Sequence, residues 1–88
     1  MIMTVVSILD TAAGVYGRPA FVASQGVAVR QFQDEVNRAS DDNQLYKHPD
    51  DFQLFVLGTF EDTVGKFELL DLPKMVARAK DVMIRDGE

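Results

Sequence analysis

The residues able to do chemistry in this chain are few, and most of them suit binding better than catalysis. His48 is the only histidine, and it sits beside Pro49, Asp50 and Asp51 in KHPDD. A zinc site needs two or more His or Cys, and a calcium loop needs five or more oxygens at fixed offsets. This cluster supplies neither, and it reads as a turn. Proline forces an extended residue before it, and aspartate favours a bend after it. The pairs Asp41-Asp42 and Asp50-Asp51 are adjacent on a polar loop, so they read as solvated rather than as an acid–base dyad. DTAAGVYGRP has glycines but lacks the lysine and spacing of a phosphate loop. No nucleophile elbow appears. The expectation is therefore no catalytic residue, no metal and no cofactor.

Binding residues are better represented. Lys74, Arg78, Lys80 and Arg85 fall within residues 73–85 with a single acid, Asp81. Residues 34–71 carry ten acids against three bases. The C-terminal cations form the candidate phosphate-binding surface, or else an ordinary solvated face. Single-stranded nucleic acid also needs aromatic faces for stacking beside that charge. Tyr16 and Arg18 in the first hairpin and Lys66 in the second complete the candidate set. Phe21, Phe55 and Phe67 suit either base stacking or burial in a core or subunit interface.

The totals bound the rest. Eighty-eight residues make one domain, spanning 1–88. Net charge is −5, which disfavours a nonspecific coat on duplex DNA. There is no cysteine, so disulfides and thiolate sites are excluded and a reducing cytoplasm is compatible. The apolar start MIMTVVSILD lacks the basic region and cleavage site of a signal peptide. No run approaches a membrane span.

The elements that must position these residues follow from pattern. Met3–Leu9 and Arg18–Ala23 read as two strands of a hairpin. Ser24 is a plausible N-cap for a helix to about Ala39, with Val29, Phe32, Val36 and Ala39 on one stripe. Residues 40–51 read as a polar loop pinned by Leu45 and Tyr46. Phe52–Glu61 alternates, which puts Phe52, Leu54, Val56, Gly58 and Phe60 on a core face. Phe55 and Leu57 then lie on the other face, which needs its own cover. The chain returns through Lys66–Leu70. Asp71-Leu72-Pro73 opens a last helix with Leu72, Met75, Val76, Ala79, Val82 and Met83 buried, ended by Gly87. The fold class is α+β, in the order ββαββα. One helix packs on an antiparallel sheet of two hairpins, and an amphipathic helix at the C-terminus covers the other face or joins a dimer.

Several stretches resemble the small nonstructural protein of gokushoviruses, single-stranded-DNA phages of the Microviridae. They are Phe32-Gln33-Asp34-x-Val36-Asn37, Lys47-His48-Pro49-x-Asp51, Leu54-Phe55-x-Leu57-Gly58-x-Phe60 and Asp62-x-x-Gly65-Lys66-Phe67-Glu68. The resemblance covers roughly residues 3–70, and the segment from Pro73 on is less typical. It implies an early phage protein made in the host cytoplasm and absent from the virion. The implied role is in DNA metabolism, at the switch from duplex replication to single-stranded genome synthesis and packaging. It carries over no catalytic residue. The expected partners are single-stranded DNA, a second copy of the chain and the phage replication initiator, with no membrane. The alternative is an adaptor that docks the initiator or a host replication protein without touching DNA.

Overall fold

The computed structural model describes residues 1–84. It is an α+β fold built on one antiparallel sheet. Strand β1 is Ile2–Asp10, β2 is Val15–Tyr16 and β3 is Ala20–Val22. Helix α1 is Gln25–Val36, α2 is Gln44–Lys47, and a 3-10 turn spans Pro49–Asp51. Strand β4 is Phe52–Glu61, β5 is Lys66–Arg78, and α3 is the single turn Ala79–Val82. β1 pairs with β2 and β3 on one side and with β4 on the other, and β5 adds to β4 as the outer edge.

Ser24 caps α1 as expected, its Oγ accepting from the Val27 amide at 3.2 Å. The helix lays Ala28, Phe32 and Val36 on the sheet, and all three are buried. They meet Val6, Val22 and Leu54 from the strands and Ala79 from α3. Full burial of a side chain the size of Phe32 or Leu54 contributes about 1.5–3 kcal/mol, so this one layer holds the fold. The helix stops at Asn37 rather than Ala39. The Asn37 side chain donates to the carbonyls of Gln33 and Val82 and accepts from the Ile84 amide, which ties the end of α1 to the segment around α3.

The polar segment after α1 is held from within. Asn43 is buried, donating to the carbonyls of Glu35 and Arg38 and accepting from the Leu45 amide. It caps α2 and closes the exposed end of α1 together. Leu45 does pack on the core, as the sequence suggests.

Two expectations are corrected. The first is the final helix. Residues 66–78 are strand, so Leu72, Pro73 and Met75 lie on β5, and helix begins only at Ala79. Opposite β4, Leu69 pairs with Gly58 and Lys74 with Val56. Four residues, Leu70 to Pro73, therefore stand against Leu57 alone. That wide bulge accommodates Pro73, which has no amide to give a ladder. α3 packs near α1, the 3-10 turn and the end of β4, so it covers no second face.

The second correction is the alternation of β4. Val6 pairs with Val56 and Val5 with Gly58, so Leu57 is an extra residue opposite β1. Beyond it the faces exchange. Thr59 and Glu61 turn to the helix side, while Phe60 joins Phe55 on the far side. Gly58 makes the bulge possible. Its φ is +155°, and a Cβ there would run into the Glu68 carbonyl oxygen and lie 2.7 Å from Leu69 Cα. Gly58→Ala should therefore destabilise the fold by about 2 kcal/mol or more, read as a lower midpoint in urea unfolding. An unchanged midpoint would contradict the close approach.

Candidate nucleic-acid interface

The register sorts every strand side chain to one of two faces, because directly paired residues share a face. Helix α1 covers the face of Val6, Ile8, Leu54 and Val56. The opposite face collects Val5, Tyr16, Phe21, Phe55, Phe60, Phe67, Leu69 and Met75. Two ring groups occupy it. Tyr16 meets Phe55 edge-on, with centroids 5.3 Å apart, across Ser7. Phe21, Phe60 and Phe67 form a trio with centroids 4.7–6.0 Å apart. Gly58 presents no side chain beside that trio. Such offset and edge-on ring pairs contribute about 0.5–1.5 kcal/mol each beyond their area. Phe21 remains 45 % exposed, Phe67 50 % and Tyr16 44 %.

The candidate cations are not on one helix face. Lys66 starts β5 opposite Glu61, Lys74 stands opposite Val56, and Arg78 ends the strand opposite Gln53. Lys80 follows on α3, and Arg85 lies outside the described residues. Lys66 to Arg78 spans eight residues of β4, about 26 Å at 3.3 Å per residue. Lys66, Lys74 and Arg78 therefore follow one another along the outer edge, with Lys74 on the helix side and Arg78 on the open side, and Lys80 lies past the end of β5 on α3. Acids interrupt the succession. Arg78 Nε is 2.8 Å from Asp81, and Lys66 Nζ is 3.9 Å from Glu68. Among the described residues, Lys74 and Lys80 make no ion pair.

Tyr16 and Arg18 belong to the opposite edge, three strand spacings or about 14 Å from β5. Arg18 lines a cavity of about 300 Å³ between α1 and the sheet, with Gln31 and Glu35. The structure thus separates these two from the β5 cations. His48 joins α2 to the 3-10 turn, and the Asp51 amide donates to its carbonyl at 3.0 Å. Among the described residues no cluster of His, Asp or Glu is arranged to hold a metal ion. No helix among them is long and apolar enough to cross a membrane.

The hairpin tip is where the electrostatics are strongest. The Met1 ammonium lies 2.8 Å from Asp62 and 3.0 Å from Glu61. Glu61 also accepts from the Thr63 hydroxyl and amide. The Thr63 hydroxyl first, and then the Met1 ammonium, hold the Glu61 carboxyl down at about 2. Its contribution to the tip is complete above the ordinary value of 4.5 and is lost as pH falls toward about 2. Thr63→Ala should raise the Glu61 midpoint toward 4.5 in a carboxyl NMR titration. A midpoint left near 2 would show that Thr63 does not set it.

A family model described as Phage ORF5 protein matches residues 3–82. The match runs past Pro73 through the end of β5 and into α3, further than the motifs quoted above. Neither the curated proteins nor the solved structures give a match.

Proposed function

The chain belongs to the phage ORF5 protein family, and from that footing we propose that it is a non-enzymatic phage protein that binds single-stranded DNA. Its role is at the switch from duplex replication to single-stranded genome synthesis and packaging, in the host cytoplasm, as in the gokushovirus nonstructural proteins it resembles. The observation that supports the DNA reading is the succession of Lys66, Lys74 and Arg78 along the outer edge strand, with Lys80 just past its end on α3. A flexible single strand follows a line of charge that a rigid duplex cannot follow so closely. The net charge of −5 keeps affinity modest and makes it depend on these cations alone.

One observation favours the adaptor as a second reading. The β5 bulge holds Leu72 at 79 % exposure off the sheet edge. An apolar protrusion of that kind suits a pocket on the replication initiator or a host replication protein.

Gel-shift titration with single-stranded oligonucleotides at two salt concentrations separates the two. Two phosphate contacts, from Lys74 and Lys80, which carry no acid partner among the described residues, give a log–log slope of about −1.4, at about −0.7 per contact. Lys74→Glu with Lys80→Glu should abolish the shift. Arg78 is left intact in that variant because it holds Asp81. No shift by the wild type at low salt would remove the DNA reading. Recovery of the initiator by the wild type but not by Leu72→Glu would then establish the adaptor.

A further inference from the structure

We propose that the open sheet face is the interface of a homodimer, a second copy of the chain covering the side that α1 leaves bare. The area fits. An aromatic or large aliphatic side chain offers about 200 Å² when fully exposed. Tyr16, Phe21, Phe67, Leu69 and Met75 are 44–66 % exposed, so together they present roughly 500 Å². Phe55, Leu57 and Phe60, mostly covered, add up to roughly 200 Å² more, which takes the patch to about 600–700 Å², at the lower end of what each partner gives a stable interface. Single-copy proteins rarely leave a continuous apolar patch of that size to water.

The charge pattern selects a second copy over another ligand. Among the strand positions assigned to this face, the one charged side chain is Arg78, and Asp81 already holds it. A nucleic acid lying here would find rings but no free cation for its backbone. An acidic or basic partner would find nothing to pair with. A self-complementary apolar face needs only its own likeness. The two sheet edges do not compete for the role. β2 and β3 are two and three residues long, and β5 is interrupted by its bulge and Pro73, both of which block edge pairing. Repulsion between two copies of charge −5 is long-range and screened by salt. Association should therefore strengthen as salt rises, opposite in sign to DNA binding.

Sedimentation equilibrium of the full chain, without DNA and at two salt concentrations, tests this. The expected mass is twice 9.8 kDa, with tighter association at the higher salt. Phe67→Glu should halve the mass with its circular dichroism unchanged, and Leu69→Glu should do the same if Phe67→Glu fails to fold. Val27→Glu, on the exposed side of α1, should leave the dimer intact. A wild type that stays at 9.8 kDa at high micromolar concentration in high salt, or a Phe67→Glu and a Leu69→Glu that both remain dimeric, would overturn the proposal. A monomeric wild type whose oligonucleotide binding is lost in Phe67→Glu would assign the face to stacked bases instead. The dimer and the edge reading fail separately, because a monomer that still needs Lys74 and Lys80 for DNA removes only the dimer.

Discussion

One helix long enough to cover a sheet has to serve a sheet with two faces, and the chain's organisation follows from that shortage. α1 spends its stripe of Ala28, Phe32 and Val36 on one side. α3 is a single turn whose buried Ala79 reinforces the same layer. Nothing else in the described chain is free to close the other side. The far face is therefore packed within its own plane. Rings lie against rings across neighbouring strands, Tyr16 on Phe55 and Phe21 with Phe60 and Phe67. Lateral contacts of this kind reduce exposed area but do not remove it.

The bulge at Leu57–Gly58 makes this division sharper. Without it, strict alternation would bury Phe60 beside Leu54 and Val56 and leave Thr59 and Glu61 on the far side. With it, the strand carries its apolar end to the open face and its polar end to the side past the helix. Thr59 and Glu61 then pair with Glu68 and Lys66. The same side holds the Glu61 and Thr63 bonds that lock the hairpin tip. One glycine with a backbone that other residues rarely adopt thus decides which side of the molecule is wet.

Much of this was readable in the residues. The Ser24 cap, the α1 stripe and the two hairpins each rest on a local pattern that tertiary contacts reinforce. Gly58 inside an alternating run is itself the sign of a bulge, and strict alternation holds only on either side of it. The segment 71–83 misleads for a related reason. Leu72, Met75, Val76, Ala79 and Val82 fit a helical period. In the fold they share no face: Leu72 stands exposed in the bulge, Met75 lies on the open face, Val76 falls at a further register shift, and Ala79 joins the helix-side core. Pro73 marks the first turn of a helix and the interruption of an edge strand equally well. Asn43 was hidden among polar neighbours in the loop segment, because its role depends on carbonyls at the end of α1 that only the folded chain brings near.

Converting that helix to strand also changes what the cations can do. On a helix, Lys74, Arg78 and Arg85 would share a face and sum their field over a patch. On β5, alternation and the bulge send Lys74 toward the helix side and Arg78 toward the open side, so their charges add only along the edge. Asp81 and Glu68 cut that row into short segments. An edge of this kind would offer a polyanion few free charges from one copy of the chain. Two copies joined through the open face would carry two such edges on one rigid body, and the second edge would bind at the effective concentration set by the first. If both proposals hold, the apolar face and the cationic edge would be parts of one design, in which covering the rings is what makes the charges sufficient.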